Sequence, residues 1–298
     1  MTAGHLPTQF VQHEGGAVAF DDTGGAGPIV LGIPGMGDLR SEYRRLKPIL
    51  QQAGMRFVTM DVRGFGETSA QWDDYSARAV GRDAVAIIRH LDAGPAFILG
   101  NSFAAGSALW AAKEAPSMVQ GVVLLGPIVR DLPLSAAQKL ALTIGFAGPW
   151  RTWFWTTYWT SLFTSQRAPD HAEVKRTIAR NLNEPGRMDA LLKMLSLSKA
   201  DTAAILDDSV VRALIVMGTR DPDFSDPGAE AEMLAAQLNA ETMMVEGVGH
   251  YPHVEMADVV GHRITAFISG ARSRTRTNGA APGVTSRFVR QTTIWRTK

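Results

Sequence analysis

Phe97-Ile98-Leu99-Gly100-Asn101-Ser102-Phe103-Ala104-Ala105-Gly106 decides the reading of this chain. An apolar run stops at Gly100-Asn101-Ser102, and an Ala-rich helical stretch follows through Trp110 and Ala112. A serine at the tip of such a strand-to-helix turn is lifted clear of the sheet, and small residues two positions to either side permit the tight bend. The helix behind it presents free backbone N–H groups that favour negative charge. A serine nucleophile needs that geometry. Ala104 stands where the full elbow has its second glycine, so the motif is G-x-S-x-A.

Working outward, Thr8–His13 and Ala17–Asp21 read as two strands joined at Glu14-Gly15-Gly16. Ile29–Ile33 is a continuous apolar run, as in a strand buried on both faces of a parallel sheet. It leaves through Pro34-Gly35-Met36-Gly37-Asp38, a helix is expected over 41–52, and Phe57–Asp61 is the next strand. Ala84, Ile87, Ile88 and Leu91 form one helical stripe, and Pro116 closes the helix after Ser102 before the strand Val122–Leu125.

Residues 132–206 contain helical patterns but no convincing strand. One is aromatic-rich, with Trp150, Trp153, Phe154, Trp155, Tyr158, Trp159 and Phe163; another starts at Asp170 as N-cap. The sheet resumes at Ala213–Gly218 with the exit Thr219-Arg220-Asp221-Pro222-Asp223, and Asp226-Pro227 opens a helix. Glu241–Val245 is the last expected strand, leaving through Gly247-Val248-Gly249-His250-Tyr251-Pro252-His253 to a helix over about 257–268. Strands alternating with helices define an α/β fold with a mostly parallel sheet and ligands at the strands' carboxyl ends. The expected organisation is a core of residues 1–131 and 207–270, an inserted all-helical cap of 132–206, and a basic, disordered tail of 271–298.

The 298 residues are 45% hydrophobic with net charge +1, enough for one large domain with an insertion. No cysteine is present, which excludes a disulfide, a thiolate metal site or a cysteine nucleophile. The histidines show no metal-ligand spacing, and no G-x-G-x-x-G follows a strand, so neither metal nor cofactor is expected. The N-terminus shows neither a basic nor an apolar leader region, and no run approaches the roughly 20 apolar residues of a membrane span. The expectation is a soluble, cytoplasmic protein. Seven basic residues and no acid follow Ala271, leaving −6 for residues 1–270. Such an arm could contact nucleic acid, but its composition reads first as an unpacked tail without a nucleic-acid partner.

In these motifs the chain resembles the Ser-nucleophile α/β-hydrolases that carry a cap. Asp61-x-Arg63-Gly64-x-Gly66-x-x-Ser69, Gly100-x-Ser102, Gly218-x-x-Asp221 and Gly249-His250-x-Pro252 match that family's motifs in its order, over residues 8–270. Pro34 replaces the histidine common before the oxyanion glycine. The expected nucleophile is Ser102 and the base His250, with His253 its rival. Asp221 is the expected orienting acid; Asp131 and Asp223 are alternatives. The backbone N–H groups of Met36 and Phe103 are the expected oxyanion donors, and Trp155 and Trp159 the expected substrate contacts. The resemblance implies a carboxylesterase acting on small to medium apolar esters. The same scaffold serves carbon–carbon hydrolases of ring-fission diketones, lactonases, cofactor-free haloperoxidases and small-molecule receptors that retain the triad.

Overall fold

The computed structural model describes residues 7–133, 135–277 and 293–295. β1 (Gln9–His13) and β2 (Gly16–Asp22) form an antiparallel hairpin, and β2 runs antiparallel to β4 (Arg56–Met60). β3 (Ile29–Ile33), β4, β5 (Ala96–Asn101), β6 (Val119–Leu125), β7 (Ala213–Gly218) and β8 (Glu241–Val245) are parallel. With β9 (Thr293–Trp295) at the far edge, the order across the sheet is β1-β2-β4-β3-β5-β6-β7-β8-β9. From β3 the chain steps to β4 on one side and then crosses to β5 on the other. At such a reversal, here the carboxyl ends of β3 and β5, open α/β sheets place their ligands.

Alternate side chains supply two apolar layers. Leu31, Val58, Ile98, Val122 and Ile215 face one side with α2 (Ala77–Leu91), α3 (Ala104–Glu114) and α9 (Pro227–Leu238). Val30, Phe57, Phe97, Leu99, Val123 and Leu214 face the other with α1 (Leu46–Gln52) and α11 (Ala257–Thr277). A short 3-10 turn, Arg40–Arg45, leads into α1, so the single helix expected over 41–52 is two elements; Pro48 lies in the first turn of the second.

Between β6 and β7 lie α4 (Ala136–Phe146), α5 (Arg151–Ser161), α6 (His171–Leu182), α7 (Arg187–Ser196) and α8 (Ala200–Ala203), with no strand among the described residues. Asp170 precedes α6 but makes no capping bond; its carboxylate takes the Arg44 guanidinium at 2.5 and 2.8 Å and ties the cap to the core. Asp226 does cap α9, accepting from Ala229 N–H. Two expectations at the C-terminus change. α11 continues to Thr277, and Thr293–Trp295 forms β9, pairing parallel to the outer edge of β8. An edge strand has unpaired backbone groups that a further segment can satisfy. The rest of the expected tail, 278–292 and 296–298, lies outside the described residues.

Asp61, Arg63 and Gly66 are structural. The buried Arg63 guanidinium donates to Asp83 at 2.5 and 2.9 Å and to Glu14 at 2.6 Å, and Asp61 accepts from the Arg40 and Glu67 backbones. A Cβ on Gly66 would fall 2.0 Å from the Asp61 carboxylate, so glycine is required there.

Candidate active site

Ser102 lies at the turn between β5 and α3 with φ +56°, a left-handed conformation unusual for a residue with a side chain. Its N–H donates to Leu125 O at 2.9 Å and its carbonyl accepts from Ile128 N–H at 3.1 Å, so both neighbouring segments hold the turn. The bend is tight enough that a Cβ on Gly100 would meet Ala104 O at 2.2 Å, while Ala104 itself is accommodated. The preceding side chain, Asn101, is buried and donates to Leu125 O (2.9 Å) and to His250 O (3.3 Å). It ties the serine turn to the histidine loop.

His250 follows β8 and Asp221 follows β7, and the two side chains meet with His250 Nδ1 2.7 Å from Asp221 Oδ2. Both are buried, at 1% and 2% exposure. Asp221 Oδ1 accepts from Asp223 N–H at 3.1 Å. Gly126 lies beneath the pair with φ +51°; a Cβ there would come within 3.2 Å of His250 Nδ1. Burial opposes a charge on His250, but the carboxylates of Asp221 and Asp223 outweigh it and push its pKa up to about 9.

Of the rival residues, only Asp223 lies beside the pair. Asp131 accepts from Ser198 Oγ and Lys199 N–H on the surface. Asp223 is 3.6 Å from His250 Nδ1, with its other oxygen accepting from Tyr158 OH at 2.7 Å, and burial raises its pKa. His253 is fully buried with Nε2 2.7 Å from Glu42 Oε1. Asp221, Asp223 and His250 together could hold a metal ion, their ligand atoms lying within 4.8 Å of one another. Protein donors already engage both Asp221 oxygens and one of Asp223.

The loop Pro34–Asp38 leaves β3 beside this turn. A Cβ on Gly35 would lie 3.6 Å from Ser102 Cβ, which brings the backbone before Met36 against the serine; Phe103 follows the serine directly. Of the expected substrate contacts, Trp155 lies against the loop, since a Cβ on Gly37 would meet its indole at 2.7–2.9 Å. Trp159 instead clamps the cap: its Nε1 donates to Asp38 Oδ2 at 2.9 Å and its ring stacks on His171 at 4.7 Å. Trp150 and Trp153 face outward, 48% and 65% exposed. The cap also reaches the histidine loop, where His250 N–H donates to Leu162 O at 2.9 Å. Gly249 allows that approach, because a Cβ would sit 2.2 Å from the same carbonyl. Glu255 accepts from Gly249 N–H and from Ser165. Sequence reasoning gave no role to Glu42, Gly126 or Glu255, and it quoted Asn101 only as part of the serine motif.

The model of the alpha/beta hydrolase fold family matches residues 28–257. The chain belongs to that family, and its matches to the first curated relatives span less than half of their length. It is 33% identical over 109 residues to a putative non-heme bromoperoxidase, BpoC, of Mycobacterium tuberculosis, a match covering 36% of this chain and 41% of that protein. It is 22% identical over 211 residues to 3-oxoadipate enol-lactonase 2 of Acinetobacter baylyi, over 71% of this chain and 78% of that one. An esterase from Exiguobacterium antarcticum superposes with TM-score 0.75 at 18% identity, covering 87% of this chain and 98% of its own. No described helix is long and apolar enough to cross a membrane.

Proposed function

We propose that this chain is a serine carboxylesterase acting on small to medium apolar esters. The observation that carries the reading is the Ser102 turn at the end of β5, tied through Asn101 to a His250–Asp221 pair on neighbouring strand ends. Asp221 occupies Nδ1 of the imidazole, leaving Nε2 to take the Ser102 proton as Oγ attacks the ester carbonyl. The N–H groups of Met36 and Phe103 receive the developing oxyanion. The alcohol leaves with the proton from His250, and water, activated by the same nitrogen, releases the acyl group. Trp155, against the oxyanion loop, contacts the acyl group, while Trp159 keeps the cap seated over it. A lactone is a cyclic ester opened by the same step, and the lactonase relative supports that second substrate class.

The test is a nitrophenyl ester series from acetate to octanoate, with a lactone and a ring-fission diketone alongside. Longer esters should be preferred. Trp155→Ala should raise KM for them about five-fold, as expected for losing about 1 kcal/mol of aromatic contact. Equal efficiency on acetate and longer esters in both proteins would remove Trp155 from the substrate path, and turnover of the diketone alone would overturn the ester reading.

The pH dependence follows from His250. It acts as a base only when neutral, so kcat/KM should rise with pH and level off above about 9. The folded pKa lies above the unfolded value of about 6.5, so the proton-linked stability is full below that value and is lost as pH climbs through about 9. A rate profile already flat from neutrality upward would contradict this assignment.

A further inference from the structure

We infer that Glu42 and His253 form a buried positioning pair that holds the oxyanion loop in register with the histidine loop. The inference rests on the reading above that Met36 N–H faces the oxyanion. Glu42 belongs to the 3-10 turn that follows the loop, and His253 to α10 (Pro252–Glu255), three residues beyond His250. They are 2% and 0% exposed. Glu42 uses both oxygens: Oε2 accepts from Gly35 N–H at 2.9 Å and Oε1 lies 2.7 Å from His253 Nε2. One carboxyl group thus bridges the backbone immediately before Met36 and the segment that carries His250.

Elementary energetics make this bridge an unusual choice for packing alone. An unpaired buried carboxylate costs several kcal/mol, so an apolar side chain would be the simpler filler. Here burial pushes Glu42 up to about 8 and His253 down to about 3. Burial thus favours the neutral forms of both groups, which share one hydrogen bond at Nε2, while Oε2 receives Gly35 N–H. The charged or titratable neighbours are Asp38, whose own carboxyl burial raises to about 7, together with Tyr43, Arg44, His250, Tyr251 and, on α10 itself, Glu255. The His253 ring leans on Tyr43 at 5.2 Å, and Tyr43 OH donates to Ile33 O at the end of β3. The pair is anchored to the strand whose exit it holds.

A protonated glutamate and a glutamine offer the same two hydrogen bonds, and this separates positioning from space-filling. Glu42→Ala should lower kcat on a nitrophenyl ester by roughly 100-fold, comparable to losing one oxyanion donor, with KM changed only a few-fold. It should slow fluorophosphonate labelling of Ser102 by a similar factor and speed hydrogen exchange in the peptide spanning Ile33–Asp38. Glu42→Gln should stay within about five-fold of wild type in all three measurements, since its amide can donate to His253 and accept from Gly35. If the alanine variant does not fold, Glu42→Asp, one methylene too short to reach both partners, should give the same loss. Wild-type labelling and exchange in a folded Ala or Asp variant would overturn the inference, as would a Gln variant as impaired as Ala. Wild-type protein that labels but turns over no ester fails the esterase reading alone; labelling and exchange still score Glu42.

Discussion

Alanine at position 102 is expected to remove nearly all ester turnover, a loss on the order of a million-fold by comparison with other triad serines. It should leave the thermal midpoint within about a degree or two of wild type, a change worth under about 0.5 kcal/mol. The side chain is only half-buried, and the bonds that hold the turn come from its backbone, to Leu125 and Ile128. Alanine inherits the same positive φ, so the conformational strain is unchanged. Fluorophosphonate labelling should vanish in parallel. A variant that keeps a tenth of the wild-type rate would show that another group attacks the ester.

Asp221→Asn should cost on the order of ten-thousand-fold in kcat, because the amide turns its NH2 towards Nδ1 and favours the imidazole tautomer whose Nε2 is already protonated. The same change removes the nearest opposing charge from His250, so its pKa should fall and the alkaline rise in rate move to lower pH. Asp223→Asn should be milder. Asp223 is 3.6 Å from Nδ1, against 2.7 Å for Asp221, and its second oxygen is taken by Tyr158. Asp131→Asn should be silent, since its partners are Ser198 and Lys199 on the surface. Steady-state kinetics on the three variants decides the assignment; a full loss at Asp131 with Asp221 unaffected would reverse it.

The cap illustrates how far a local pattern reaches. Helical spacing in residues 132–206 and the clustering of tryptophans are sequence properties, and the described residues there are helical. Which ring does what is not. Trp155 and Trp159 share a helix face, yet one lies against Gly37 while the other is clamped between Asp38 and His171. Trp150 and Trp153 are left outside. The difference comes from the core loops beneath the cap, which no helical wheel contains.

The sequence by itself determined the architecture. Buried strands write themselves as unbroken apolar runs, the intervening helices as stripes, and the reactive side chains as Ser, Asp and His at strand exits. Each signal is local, because hydrogen-bond periodicity and turn chemistry act over a few residues. The tertiary structure decided the rest. It set Asp221 rather than Asp131 or Asp223 closest to His250, put Gly126 under that pair, and added Thr293–Trp295 to the sheet edge. It also brought Glu42 to His253 across 211 positions. A carboxylate in a 3-10 turn and a histidine after a proline carry no mark of each other. Their hydrogen bond forms where the segments that follow β3 and β8 meet in the folded chain.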